Sequence, residues 1–215
     1  MRPGDMVKGR YEVSTVLGQG YSGTVYAGVD TQDPNKRPVA IKKMNMGLVS
    51  GSSTKAQHSL RDWHQEVALL KQMNHPNIVN YLDDLRNDTE FFVITELVDK
   101  GSLLHAMKSE DSKTMSEVAA ARCIAQVVNG VLYLHKKEVV HRDLKAANVL
   151  ISSDGRVKLT DFGLAAVGPD AASNKDLVGS VYWMAPEVIQ KTEDSASYVE
   201  ASDIWSVGCL TVELL

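Results

Sequence analysis

The sequence predicts an α+β protein whose first half is rich in β-strands and whose second half is mainly helical. Up to residue 98, apolar and polar residues alternate in short runs separated by turn-forming residues, which is typical of antiparallel strands. After Lys100 the runs become longer and show helical spacing, with one Asp-Gly turn at Asp154. These observations predict two lobes, residues 1–98 and residues 99–215.

Five strands and one helix are predicted in the first lobe. Residues 11–29 alternate around a glycine turn and predict a two-stranded hairpin, and RPVAIKKM predicts a third strand. Residues 46–56 are small and polar and predict an exposed loop, and IVNYLDDL and EFFVITELV predict the last two strands. The run LRDWHQEVALLKQM predicts the helix, because it carries apolar residues at helical spacing, at Leu60, Trp63, Val67 and Leu70.

The second lobe is predicted to contain two long helices around a hairpin. TMSEVAAARCIAQVVNGVLYLHKK predicts an amphipathic helix with Thr114 as its N-cap and Glu117 completing a capping box. VLISSDGRVKLT predicts two short strands joined at the Asp-Gly turn. SDIWSVGCLTVELL predicts a buried helix that starts at Ser202 or Asp203.

Composition indicates an ordinary globular protein. The chain has 215 residues, 44% of them hydrophobic, and a formal net charge of -4. This charge gives no general attraction to nucleic acid or to anionic membranes. Cys123 and Cys209 have neither metal-ligand spacing nor a disulfide framework, and no uninterrupted apolar run is long enough to span a bilayer. We therefore predict a soluble cytoplasmic protein that binds neither nucleic acid nor membranes; the sequence leaves its oligomeric state open.

Two features of the first lobe suit phosphate binding. Residues 18–25 read G-Q-G-Y-S-G-T-V, and such glycines let backbone N–H groups approach phosphate oxygens, although the same spacing also fits an ordinary turn. Lys42 ends the strand sequence V-A-I-K, where alternation places it on the same face as Ala40. Glu66 on the predicted helix is a candidate partner for Lys42, which could otherwise be a solvated strand lysine.

The stretch HRDLKAAN brings together the groups that phosphoryl transfer requires. Asp143 is the candidate base for the attacking hydroxyl, and Lys145 is a nearby cation. Asn148 and Asp161 are candidate metal ligands, because amide and carboxylate oxygens suit Mg²⁺. A charged surface turn is the alternative, but Asp161 belongs to a D-F-G sequence at the exit of the predicted hairpin, which a mere turn does not explain.

Six motifs in order give the sequence a family resemblance. They are the glycine-rich run at 18–25, V-A-I-K ending at Lys42, Glu66, H-R-D at 141–143, D-F-G at 161–163 and A-P-E at 185–187. In this set the chain resembles the eukaryotic protein kinases over essentially its whole length. The resemblance implies the bilobal kinase fold, with ATP bound between the two lobes together with Mg²⁺.

The resemblance also implies nucleotide contacts and a catalytic set. It makes Gly18, Gly20 and Gly23 phosphate-binding glycines and Lys42, held by Glu66, the residue that orients the phosphates. It makes Thr95 the gatekeeper and gives the backbone of Glu96 and Val98 hydrogen bonds to adenine. The residues that it places against the nucleotide by packing are Leu17, Val25, Ala40 and Leu150.

The motif variants point to a subgroup. Lys145 in HRDLKAAN and the run GSVYWMAPEVI resemble serine/threonine kinases, and the latter with ASDIWSVGC is similar to the MAP kinase kinase kinases of the epsilon and septation type. This implies a protein substrate, for which a downstream kinase is the candidate. Ser180 stands where these kinases usually have threonine, and its hydroxyl is expected to bridge Asp143 and Lys145.

Two further expectations concern regulation and completeness. Asp176 is a candidate partner for Arg142 in place of a phosphate, with Ser173 as a second input, although Asp176 could equally be a solvated loop residue. Kinases of this family continue past the helix that contains Trp205, so we expect a truncated chain. Truncation would leave Glu187 without its buried partner and would expose Ile204, Trp205 and Leu210. A catalytically weak or inactive binding module is therefore the alternative to an active kinase.

Overall fold

The computed structural model describes residues 1–20, 23–44, 64–86, 90–109, 114–168, 178–190 and 200–215. The chain divides into two compact units. The first consists of Met1–Met73 and Asn80–Val98, and the second consists of Asn74–Val79 and Asp99–Leu215. The predicted loop at 46–56 and the first apolar positions of the predicted helix, Leu60 and Trp63, lie outside the described residues.

The first unit contains one antiparallel sheet and a helix. Its strands are β1 (Met6–Val7), β2 (Tyr11–Gln19), β3 (Gly23–Asp30), β4 (Pro38–Met44), β5 (Tyr81–Arg86) and β6 (Phe91–Glu96). They lie in the order β1-β2-β3-β4-β6-β5. Helix α1 is described over residues 64–72. The hairpin and the third strand are confirmed, whereas β1 was not predicted because two residues are too few to show alternation.

One face of this sheet carries the core of the first unit. Val39 and Ile41 of β4 are fully buried, whereas Ala40 and Lys42, which alternate with them along the strand, are half-buried. Because successive strand residues point to opposite faces, Lys42 lies on the face opposite the core. The core cluster consists of Val7, Tyr11, Val13, Tyr26, Val39, Ile41, Phe92 and Ile94.

The second unit contains helices and short two-stranded ladders. Its helices are α2 (Leu103–Ser109), α3 (Glu117–His135), α4 (Pro186–Ile189) and α5 (Glu200–Leu214). Its strands are β7 (Val139–Val140), β8 (Val149–Ile151), β9 (Val157–Leu159) and β10 (Ala166–Val167). Strand β8 pairs with β9 as predicted, and β10 pairs with β7. Helix α2 was not predicted.

Residues 74–79 belong to the second unit although they lie between α1 and β5 in sequence. The Val79 N–H donates to Leu159 O at 3.0 Å, and the Leu159 N–H donates to Asn77 O at 2.9 Å. Ile78 and Leu159 form a parallel bridge. The strand predicted from Ile78 therefore begins only at Tyr81, because the backbone before it is hydrogen-bonded to β9.

Helix α3 begins later than predicted. Its N-cap is Ser116, which is extended and whose Oγ accepts a hydrogen bond from the Ala119 N–H at 3.4 Å. The predicted capping box of Thr114 and Glu117 is therefore wrong. Among the helices of the described residues, α3 is long and apolar enough to cross a bilayer by length and composition, a weak indication because core helices meet the same criterion. Part of the surface of α3 is buried, including Cys123, and this burial raises the pKa of the Cys123 thiol.

Helix α5 also corrects two predictions. It begins before Ser202 and Asp203, which lie inside it, and the Asp203 side chain is fully buried. Leu210, expected to be exposed, is fully buried as well, whereas Ile204 and Trp205 are 54% and 49% exposed, as expected. In α4, Glu187 is exposed, so it is not a charge buried without a partner.

Candidate active site

The glycine turn between β2 and β3 is closed by backbone contacts. The Gly20 N–H donates to Gly23 O at 2.9 Å, and Gly18 lies opposite Val25 in the hairpin. Gly23 has φ +152°, and a Cβ there would lie 2.2 Å from Lys43 O. Only glycine fits this position, because any side chain would collide with the backbone of β4.

Four of the predicted nucleotide-contacting residues, Val25, Ala40, Lys42 and Thr95, share one face of the sheet, whereas Glu96 lies opposite Val39 on the other face. Val25 lies opposite Lys42, and Ala40 lies opposite Thr95. Directly opposed residues in an antiparallel sheet share a face, and Ala40 and Lys42 share one by alternation. Leu17, at the irregularity before Gly18, is 53% exposed.

The end of β6 carries the other nucleotide contacts predicted in the first unit. The Glu96 N–H donates to Asn80 O at 3.0 Å, and the Asn80 N–H donates to Glu96 Oε1 at 2.7 Å. Val98, two residues beyond the strand, is buried. These hydrogen bonds fix the backbone at the position where the adenine contacts are predicted.

Lys42 and Glu66 form an ion pair. Lys42 Nζ lies 2.7 Å from Glu66 Oε1, and the two side chains are 13% and 2% exposed. A charged hydrogen bond in so little solvent is stronger than a surface ion pair. The pair therefore holds the ammonium of β4 in a defined position, as the sequence predicted.

The family resemblance implies turnover of ATP, and on that expectation Glu66→Gln should lower kcat/KM for ATP by about 10- to 100-fold, because a hydrogen bond to a charged group contributes about 1.5–3 kcal/mol. The amide keeps the shape of Glu66 but removes the negative charge beside Lys42. Steady-state kinetics with varied ATP measure the effect, and Glu90→Gln, at the half-exposed Lys43–Glu90 pair, is the matched control. Equal kinetics for the two variants would contradict a role for Glu66.

In the second unit, donors from three directions surround the carboxylate of Asp143. Oδ2 accepts hydrogen bonds from Lys145 Nζ and from Asn148 Nδ2, both at 2.8 Å. Oδ1 accepts one from the Ser180 N–H at 3.0 Å. Asp143 is buried. These three donors fix the orientation of the carboxylate, as a group that aligns and deprotonates a hydroxyl requires.

A buried histidine supports the backbone next to Asp143. The ring of His141 donates from Nε2 to Thr160 O at 3.1 Å and accepts at Nδ1 from the Asp143 N–H at 3.4 Å. Because the Thr160 carbonyl can only accept, the proton of this contact lies on Nε2. Phe162 of D-F-G packs on this ring, with centroids 5.1 Å apart. His141 therefore connects H-R-D to D-F-G.

The hairpin of β8 and β9 brings the two predicted metal ligands to one end. Val149 lies opposite Leu159, and the Thr160 N–H donates to Asn148 O at 3.1 Å. Asn148 immediately precedes β8, and Asp161 follows β9 by two residues. Both therefore lie at the open end of the hairpin, while Leu150 lies within β8.

The donor chemistry of this end fits a magnesium ion. Asn148 Nδ2 donates to both Asp143 O and Asp143 Oδ2 at 2.8 Å, which fixes the orientation of the amide. The amide oxygen is then the atom of Asn148 that can coordinate a metal ion. Asp161 has φ +64°, an uncommon left-handed conformation for aspartate. One carboxylate with one amide oxygen suits Mg²⁺, which binds few protein groups and keeps water and phosphate ligands.

Asp203 supports the site from within α5, whereas the sequence predicts it as a cap of that helix. Its Oδ2 accepts from the His141 N–H and from His135 Nε2–H, both at 2.9 Å, and its Oδ1 accepts from the Arg142 N–H at 2.9 Å. The carboxylate thus holds the backbone that leads into Asp143. No local pattern shows this, since Asp203 and His141 are 62 residues apart.

Two predictions concern residues near Asp143. Ser180 Oγ accepts a hydrogen bond from Lys145 Nζ at 2.6 Å, but it is the Ser180 N–H, not the hydroxyl, that contacts Asp143. Arg142 donates from Nε to Leu164 O. Its predicted partner Asp176, like Ser173, lies outside the described residues.

We expect Gly179→Ala to destabilise the second unit by about 1–3 kcal/mol and to lower activity. Gly179 has φ +108°, and a Cβ would lie 2.6 Å from Arg142 O, so the chain before Ser180 would have to move. Gly155→Ala is the matched control, because Gly155 has φ +78° but nothing within 4 Å of an added Cβ. Urea unfolding and kcat measure the effect; equal losses in both variants would exclude the steric explanation.

The chain matches known proteins over nearly all of its length. The sequence model of the family described as "Protein kinase domain" matches residues 11–215. The chain is 42% identical over 207 residues to MAP3K epsilon protein kinase 1 of Brassica napus, and the aligned region covers 96% of the chain and 15% of the relative.

Two other relatives are named as kinases of the same broad class. The chain is 37% identical to serine/threonine-protein kinase CLA4 of Candida albicans, over 95% of the chain and 20% of the relative. It is 36% identical to mitogen-activated protein kinase kinase kinase 1a of Physcomitrium patens, over 92% of the chain and 24% of the relative. The chain thus spans at most about a quarter of these relatives.

Proposed function

The chain belongs to the protein kinase domain family, and on this premise we propose that it is a serine/threonine protein kinase that transfers the γ-phosphate of ATP to hydroxyls of protein substrates. The arrangement around Asp143 carries the proposal. A buried carboxylate held by Lys145, Asn148 and Ser180 is suited to align an attacking hydroxyl and to accept its proton.

The other residues have supporting roles in this proposal. Lys42, held by Glu66, binds the α- and β-phosphates, and the lack of side chains at Gly18, Gly20 and Gly23 lets the backbone approach them. Lys145 lies beside the transferred phosphoryl group. Asn148 and Asp161 would hold Mg²⁺, which would neutralise charge on the phosphates. We assign nucleotide binding chiefly to residues 1–98 and the transfer residues to residues 99–215.

The relatives support a finer proposal. Because a relative with 42% identity is named a MAP3K epsilon protein kinase, we propose that the protein substrate is itself a kinase in a MAP-kinase-type cascade, acting in the cytoplasm. The formal net charge of -4 supports a partner that is neither nucleic acid nor an anionic membrane surface.

A transfer assay with γ-labelled ATP tests the activity. The wild-type chain is incubated with Mg²⁺ and casein, and labelled phosphoamino acids are separated after acid hydrolysis. Label in phosphoserine or phosphothreonine above the Asp143→Asn background supports the proposal, and label in phosphotyrosine alone contradicts the serine/threonine assignment. No signal above that background favours the second candidate, a non-catalytic binding module, which the exposed apolar residues Ile204 and Trp205 support.

A further inference from the structure

Glu213, near the C-terminal end of α5, contacts both segments that converge on Asp143. Its Oε2 accepts a hydrogen bond from the Ala146 N–H at 2.9 Å and another from Trp183 Nε1–H, also at 2.9 Å. Ala146 and Trp183 are far apart in sequence, and each begins or ends a short 3-10 turn. A single carboxylate oxygen therefore connects these two turns to α5.

The first contact caps the turn that follows Lys145. The 3-10 turn Ala146–Asn148 has no side-chain cap from its own N-cap residue, Lys145. The first N–H groups of such a turn have no partner within it, so the Ala146 N–H needs an external acceptor. Glu213 supplies this acceptor. The turn follows Lys145 directly and ends at Asn148, and the side chains of these two residues bind Asp143 Oδ2.

The second contact fixes the turn that follows Ser180. The 3-10 turn Val181–Trp183 comes directly after Ser180, which contacts both Asp143 and Lys145. Besides the indole bond to Glu213, the Ser206 hydroxyl donates to Trp183 O at 2.7 Å. Trp183 is thus held to α5 at its ring and at its backbone.

We propose that Glu213 is a positioning residue for phosphoryl transfer. By holding both turns with one oxygen, it sets the spacing of Lys145, Asn148 and Ser180 around Asp143. This inference rests on the proposed kinase function. Since the residues assigned to nucleotide binding lie chiefly in the sheet of the first unit, loss of Glu213 should impair turnover more than ATP binding.

Four variants of the full chain test the proposal. Glu213→Ala removes the acceptor, and Glu213→Gln keeps an oxygen that both N–H groups can use. Trp183→Phe removes one donor but keeps an aromatic ring. Glu200→Ala, at an exposed position of the same helix, is the control. Circular dichroism determines the folded fraction of each variant at the assay temperature.

We expect Glu213→Ala to lower kcat per folded molecule by about 10- to 100-fold, with KM for ATP within about twofold of wild type. Glu213→Gln should restore most of the turnover, and Trp183→Phe should cause a smaller loss than Glu213→Ala. A purely structural role would instead lower activity in proportion to the folded fraction. That result, or a kcat for Glu213→Ala equal to that of Glu200→Ala, would overturn the proposal.

Amide exchange separates this proposal from the kinase assignment. The Ala146 N–H should exchange faster in Glu213→Ala than in Glu200→Ala, whether or not the chain is active. If the exchange rate of the Ala146 N–H is unchanged, the anchoring by Glu213 is overturned, but the kinase function is not. Transfer by the wild-type chain that does not exceed the Asp143→Asn background overturns the kinase function and, with it, the catalytic consequence of the anchor.

Discussion

Replacing Asp143 by asparagine is expected to lower kcat by about 10²- to 10⁴-fold, the usual range for losing a general base. An amide cannot accept the proton of the attacking hydroxyl. It also offers one acceptor oxygen where the carboxylate offers two, although Lys145, Asn148 and Ser180 all donate to this side chain. Single-turnover transfer from labelled ATP measures the chemical step directly.

The control for this variant is Asp154→Asn. Asp154 lies in the exposed turn of the β8–β9 hairpin, where its carboxylate pairs with Arg156. An exposed ion pair contributes little to stability, so this variant should retain wild-type turnover. If Asp143→Asn also retained more than a tenth of wild-type kcat, Asp143 would not be the base.

Local sequence patterns predicted the parts of the site that depend on local geometry. Strand alternation placed Lys42 on the face of Ala40, and the structure adds the 2.7 Å contact with Glu66. The Asp-Gly turn predicted the β8–β9 hairpin, which places Asn148 and Asp161 at one end. Each prediction rests on a backbone period or a turn preference that the residues show by themselves.

Contacts between distant segments could not be predicted in the same way. Even the local choice of the N-cap of α3 was open, because Thr114 and Ser116 are both N-cap residue types. The extended backbone of Ser116 in the structure shows that Ser116 is the cap. Leu210 was expected to be exposed, but it is buried. Asp203 matched the pattern of a helix cap, yet it lies within α5, because its carboxylate serves backbone groups about sixty residues away.

Because its carboxylate is buried, Asp203 is the residue whose replacement is expected to lower the free energy of unfolding most among the variants proposed. Asp203→Ala should lower the free energy of unfolding by at least about 3 kcal/mol, since three donors lose their acceptor and a buried unsatisfied group costs about 1–3 kcal/mol. The donors are the backbone N–H groups of His141 and Arg142 and Nε2–H of His135. Urea unfolding monitored by tryptophan fluorescence measures the loss.

Two further variants show whether the carboxylate itself is responsible. Asp203→Asn keeps one acceptor oxygen and should be less destabilised than Asp203→Ala, while Glu200→Ala, exposed on the same helix, should unfold like wild type. Exchange of the His141 and Arg142 N–H groups should be fastest in Asp203→Ala, slower in Asp203→Asn and slowest in Glu200→Ala. If Asp203→Ala and Glu200→Ala unfolded at the same urea concentration, the buried carboxylate would not be what holds the chain before Asp143 in place.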